Sequence, residues 1–152
     1  MGEKQQYATF YLAGNYFGVG VDAVQEILRM QPMTPVPLAP PVVSGLINLR
    51  GQIVTAIDLR RRLDMKEREA GEEPLNVVIR SGEGIVSLLV DEIGDVVEVS
   101  EDTFEPPPET LNSKARALIR GIHKLNNRLM HVLDTQNVVN LETETKPQGI
   151  GW

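Results

Sequence analysis

The chain has 152 residues, 41% apolar and 24% charged, enough apolar matter for one compact domain and too ordinary a mixture for wholesale disorder. Its formal charge of −6 argues against gripping a phosphate backbone or an anionic membrane, since both need an excess of Lys and Arg. The absence of cysteine removes disulfides, thiolate chemistry and cysteine-rich metal sites, and fits a reducing compartment. Residues 1–6 are polar with no signal-peptide stretch behind them. The longest strongly apolar run, 85–90, is far short of the about 20 residues of a membrane helix, so a soluble, cytoplasmic protein is expected.

Short apolar runs separated by turn chemistry predict an all-β chain. Residues 7–12 and 16–21 flank Ala13-Gly14-Asn15. With Gly14-Asn15 as the loop, Leu12 would face Phe17, Phe10 would face Val19 and Ala8 would face Val21, every pair apolar. Val21, Val24 and Leu28 recur at helical spacing, which predicts a short helical turn before extended chain resumes over 27–30. Prolines at 32, 35, 37, 40 and 41 remove amide donors and fix φ, so 31–41 reads as a stiff connection laid over the surface, with Met33, Val36 and Leu38 as packing residues.

Two apolar strands around Arg50-Gly51 predict a second hairpin, after which Asp58 is placed to cap a short helix over 59–63. A charged loop follows over 64–73. Residues 75–80 and 85–90 surround Ser81-Gly82-Glu83-Gly84. Both runs are nearly continuous in apolar residues, as strands buried on two faces are. Residues 96–99 form a further strand, and Pro106-Pro107-Pro108 breaks the chain. Residues 117–123 and 129–133 make a last hairpin, Asp134 caps a closing helix through Leu141, and 142–152 is a polar tail. About nine or ten strands, in two halves that each end on an Asp-capped helix, suit a pair of small closed barrels. The expected division is roughly 12–66 and 67–141, with intertwining through the N-terminal strand left open.

Candidates for chemistry are few. The histidines are His123 and His131. A two-residue turn at Asn126-Asn127 would pair His123 with Met130 and put them on opposite faces, whereas a three-residue turn at 126–128 would set them side by side. Even then two ligands fall short of the three or four that zinc takes. No serine sits in a Gly-x-Ser-x-Gly elbow, and the glycines of 14–20 are not followed by the Lys-Ser/Thr of a phosphate cradle. The acidic pairs Glu72-Glu73, Asp91-Glu92 and Glu101-Asp102 read as solvated surface. No catalytic residue, metal or cofactor is expected.

The stretch Asn48-Leu49-Arg50-Gly51-Gln52-Ile53-Val54-Thr55-Ala56-Ile57-Asp58-Leu59-Arg60 resembles the signature of the CheW family. Val24-Gln25-Glu26-Ile27, Thr34-Pro35-Val36-Pro37 and Val43-Ser44-Gly45-Leu46-Ile47 fit upstream. Leu89-Val90-Asp91, Asp95-Val96 and Gly121 fit downstream, so the resemblance covers about 7–141 of a single domain, 1–141. It implies two packed five-stranded SH3-like β-barrels with a few short helices and no catalysis: an adaptor that couples methyl-accepting chemoreceptor tips to the regulatory domain of the histidine kinase CheA, recruited to membrane receptor arrays. It also implies a receptor groove formed by Val21, Val24 and Ile27 on one side and Gly45, Val86 and Ser87 on the other, with Glu26 and Arg50 paired nearby. Kinase contacts would fall on Phe104, Glu105, Thr110 and Leu111. The residues alone leave other readings open. Val21, Val24 and Ile27 would equally serve a closed barrel core, and Arg50 could be a turn residue bonded to Glu26. The whole chain could be a CheW-like module of a kinase or adaptor–receiver fusion, or a general SH3-like peptide binder.

Overall fold

The computed structural model describes residues 3–82 and 84–140. The first hairpin joins β1 (Lys4–Leu12) to β2 (Asn15–Gly20). Its loop is Ala13-Gly14, one residue earlier than expected, with both residues at positive φ, +48° and +80°, as a type I′ turn requires. Phe10 therefore faces Phe17 and Ala8 faces Val19. The partner shift is two residues, so every side chain keeps the face the sequence assigned to it.

A single 3-10 turn, Val21–Ala23, leads into β3 (Val24–Leu28), which begins three residues before the expected return to extended chain. The proline-rich segment then lies along β4 (Val43–Leu49), tied to it by reciprocal backbone bonds between Thr34 and Leu46 at 2.9 and 2.8 Å. Arg50-Gly51, at φ +51° and +88°, turns β4 into β5 (Gln52–Asp58). Asp58 accepts bonds from the Arg60 and Arg61 amides and opens α1 (Leu59–Arg62). The chain continues through β6 (Leu75–Ser81), β7 (Gly84–Val90), β8 (Glu92–Ser100) and the two-residue β9 (Phe104–Glu105).

The expected strand over 117–123 starts two residues late. Asn112 caps α2 (Ser113–Leu118) by accepting from the Ala115 amide at 2.8 Å, and Ala115 and Leu118 are buried beneath it. Then come β10 (Ile119–Leu125), β11 (Arg128–Leu133) and α3 (Thr135–Val139), capped by Asp134. The expected end of that helix at Leu141 and the tail lie outside the described residues.

The strands form a six-stranded sheet, β8-β1-β2-β11-β10-β9, and a five-stranded sheet, β3-β6-β7-β5-β4. Within each, one pair is parallel, β2 with β11 and β5 with β7, and the rest are antiparallel. This is the two-barrel architecture, but the division at 12–66 and 67–141 is corrected. The first hairpin belongs with everything from β8 onward, and β6–β7 belong with β3–β5. The chain changes sheet after β2 and again after β7, so each central hairpin hands an edge strand to the other sheet. The reason is burial. β6 and β7 are apolar on both faces, and here one face meets the other sheet through Val77, Ile79 and Leu88 while the other fills its own sheet's cluster through Val78 and Leu89.

Three apolar clusters follow. Tyr7, Tyr16, Val99, Met130 and Val132 fill one face of the six-stranded sheet, and Ile47, Leu49, Val54, Ala56, Val78 and Leu89 fill one face of the five-stranded sheet. The largest lies between the sheets, with Phe10, Leu12 and Phe17 meeting Ile57, Val77, Ile79 and Leu88, closed by Leu59, Leu118 and Val138 of the helices.

Candidate functional site

β3 is an edge strand at the seam of the two sheets. Val24 pairs with Ile79 of β6, which pairs with Val86 of β7, so the three stand in one row over the inter-sheet core. Val24 and Ile27 are three apart and would point to opposite faces of a regular strand. A bulge between Val24 and Glu26 absorbs one residue and sets Ile27 opposite Val77, on the same face as Val24. Val21 and Val24 are half-buried against the inter-sheet core, and Ile27 is 43% exposed. An open depression of about 340 Å³ adjoins the 3-10 turn, lined by Gly20, Asp22, Ala23, Arg120 and residues 133–136; Val21, Val24 and Ile27 do not line it and are open only through their own partial exposure. Val21, Val24 and Ile27 are thus not sealed inside one barrel.

The opposite wall differs from expectation. Ser87 is fully buried and faces away from the Val24 row, because side chains alternate along β7. Its Oγ donates to Asn76 Oδ1 at 2.7 Å, and Asn76 Nδ2 donates to the Arg29 carbonyl at 3.0 Å. The pair anchors the chain just past β3 and offers no surface to a partner. Val86 is 7% exposed and lies beyond Ile79 in the row that Val24 begins, so it belongs to the inter-sheet core. Gly45 is covered by the proline-rich segment: a Cβ there would meet the Thr34 carbonyl oxygen at 2.9 Å and Met33 Cβ at 3.1 Å. It is a close-approach glycine, not a groove wall. Glu26 and Arg50 do form an ion pair, joining β3 to the β4–β5 turn. Arg50 is held further above its ordinary range by hydrogen bonding to Glu26.

The four residues expected to meet a kinase separate into two settings. Phe104 and Glu105 form β9 on the edge of β10. The Phe104 ring lies 5.2 Å from that of His123 and 5.3 Å below the Arg120 guanidinium, and Glu105 pairs with Lys124 at 3.2 Å. Thr110 is exposed, whereas Leu111 packs on the inter-sheet core and lines a different depression with Phe17, Leu63 and Met65. The last hairpin turns at Asn126-Asn127, so His123 pairs with Met130 and the histidines fall on opposite faces. His123 is fully buried, bonded through Nδ1 to the Thr103 hydroxyl at 2.8 Å, and burial holds it below the usual imidazole range.

Sequence reading missed the charged ties between the halves. Asp91, where the chain crosses from β7 to β8, accepts from Arg60 at 2.5 and 3.1 Å, from Arg68 at 2.9 and 3.0 Å and from the Ala13 amide at 2.7 Å. Burial would raise its carboxyl, but these bonds outweigh it and hold it below the usual carboxylate range. Arg62, 2% exposed on α1, donates to the carbonyls of Asn137, Val138 and Asn140 at the end of α3. The Asp-Leu-Arg run at 58–60 was visible, but Arg60's partner 31 residues away and Arg62's partners 75 to 78 residues away were not.

A family model described as CheW-like domain matches residues 6–143. The chain belongs to this family. It is 34% identical over 142 residues to Chemotaxis protein CheW of Bacillus subtilis, covering 93% of this chain and 90% of that one. It is 30% identical over 136 residues to Chemotaxis protein CheW of Treponema pallidum, covering 87% and 80%. The crystal structure of the scaffolding protein TtCheW from Thermoanaerobacter tengcongensis superposes with a TM-score of 0.78 at 26% identity, covering 87% of this chain and 90% of that one. The seam offers apolar contact and one ion pair.

Proposed function

We propose that the chain is a non-enzymatic cytoplasmic adaptor of chemotaxis signalling, which couples the tips of methyl-accepting chemoreceptors to the regulatory domain of the histidine kinase CheA within membrane-associated arrays. The observation that carries this reading is the half-open row of Val21, Val24 and Ile27 at the seam, bracketed by the Glu26–Arg50 pair. A receptor tip is a helical hairpin, and branched apolar side chains along a rigid edge suit a helix lying in a groove. Membership of the CheW-like domain family, with relatives named chemotaxis proteins, supports the same partners. Val86, Ser87 and Gly45 act through the backbone they position.

The test is capture of purified receptor-tip and kinase regulatory domains by wild type and Val24→Glu. A charge at this half-buried site should weaken receptor capture at least about tenfold, which is 1.4 kcal/mol or more, while kinase capture stays within about twofold. Equal loss of both, with a native circular dichroism spectrum, would reject the seam as the receptor site.

A further inference from the structure

At the far end of β2 from the seam, the first hairpin sets Tyr11 opposite Tyr16, with ring centroids 5.1 Å apart. Parallel pairing of β11 with β2 brings Arg128, the first residue of β11, beside them. Its guanidinium carbon lies 3.8 Å over the Tyr16 ring, and Nη1 donates to the Tyr11 hydroxyl at 2.6 Å. Arg50, Arg60, Arg61 and Arg68 are each matched with a carboxylate of this chain, whereas Arg128 is exposed and has no carboxylate partner among the described residues. Exposed Arg80 and Arg116 likewise bond to neutral groups, Gln25 and the Pro108 carbonyl; Arg128 differs in being held against one tyrosine ring by the hydroxyl of a second. A guanidinium has five N–H donors in a planar fork that matches a carboxylate, and one hydrogen bond plus a ring face leaves most of that fork available.

We propose that Arg128, held flat by Tyr16 and Tyr11, is a docking point for a carboxylate on an acidic segment of a partner protein. The inference rests on the adaptor reading above and commits the partner to an acidic surface segment of the kinase regulatory domain. Charge complementarity selects an acidic partner. Arginine stacked on tyrosine is the composition of an interface anchor, already ordered before binding, and Leu129 beside it is 41% exposed and offers apolar contact. The depression here, about 320 Å³ and lined by Tyr11, Asn15, Tyr16, Arg128 and His131, is open like a surface for a chain segment and unlike the enclosed pockets of small ligands. Asn15 and His131 also line the neighbouring depression that holds Leu111, which the family resemblance assigned to kinase contact. Tyr16 and Val21 are five residues apart, about 16 Å along an extended chain at about 3.3 Å per residue, so the two sites share no residue.

The experiment measures affinity of the full chain for the kinase regulatory domain and, separately, for the receptor tip, with wild type, Arg128→Glu, Arg128→Lys and Leu129→Asp. Arg128→Glu should weaken kinase binding at least tenfold and Arg128→Lys less, with receptor binding within twofold throughout. Reversing one acidic residue of the kinase domain to Arg should restore binding to Arg128→Glu. Should Arg128→Glu lose its native melt, Leu129→Asp carries the same expectation from an exposed neighbour. Kinase binding unchanged by both variants, or lost without rescue by any acidic reversal, overturns this inference alone. Wild type that binds neither domain overturns the adaptor reading and this inference with it.

Discussion

The two units that end in a capped helix, β4–β5–α1 and β10–β11–α3, share one plan and differ in where their arginines go. In the first, Arg50 at the turn is matched by Glu26, Arg60 reaches Asp91, and Arg62 is buried across the seam against the end of α3. In the second, Arg128 rests on tyrosine and faces solvent. The backbone rules are the same in both, including the Asp cap and the two-residue turn. Buried Arg60 and Arg62 make the first unit a brace for the whole molecule, and outward Arg128 leaves the second unit a surface to present.

Replacing Arg62 with Met should have the largest effect. It removes a charged donor from three carbonyls at the end of α3, and a loss of about 3 kcal/mol in urea unfolding is expected. A loss below about 1 kcal/mol would mean that α3 holds itself, and the brace would disappear from the comparison. Asp91→Asn should cost about 2 kcal/mol at neutral pH, since it weakens a part-buried network that also bonds the Ala13 amide. Asp91 titrates below its unfolded value, so its contribution is complete above the ordinary carboxylate pKa and drains as pH falls through the lower folded value. Urea midpoints of wild type and variant should therefore converge on acidification below about pH 4.

The helix caps sharpen the comparison. Asp134→Ala should cost about 1 kcal/mol. Asp58→Ala should cost more, because Asp58 also pairs with Arg61 at 3.5 Å and Arg68 at 3.9 Å. Equal losses in thermal melts would show that the first unit gains nothing from its extra charges. Arg50→Gln is the smallest: its side chain is 70% exposed, so the unfolding midpoint should not move measurably, while receptor-tip capture falls because Glu26 is left unmatched beside Ile27.

Most elements were legible because their causes are local. Arg50-Gly51 between apolar runs, Asp58 and Asp134 before short helices, and the prolines of 31–41 each act within a few residues. α2 was missed although Asn112 stands where a cap would, because apolar residues over 117–123 read equally well as strand. The first hairpin was displaced by one residue at its loop because Ala13 adopts positive φ, a conformation that Gly14 or Asn15 would be chosen for first. At the candidate site, the Glu26–Arg50 ion pair was legible from the family pattern. The burial of Ser87 was hidden behind the parity of β7, and the cover over Gly45 behind the path of the proline segment.

The amino-acid sequence by itself determined the all-β character, the turns, the caps and the family, since alternation, turn residues and a motif of ordered spacing are written along the chain. Tertiary structure alone decided which sheet each hairpin joins, where the β3 bulge turns Ile27 toward Val24, and which carboxylate each arginine finds. These depend on contacts between residues tens of positions apart, and every such pairing competes with many others that the local pattern satisfies equally well.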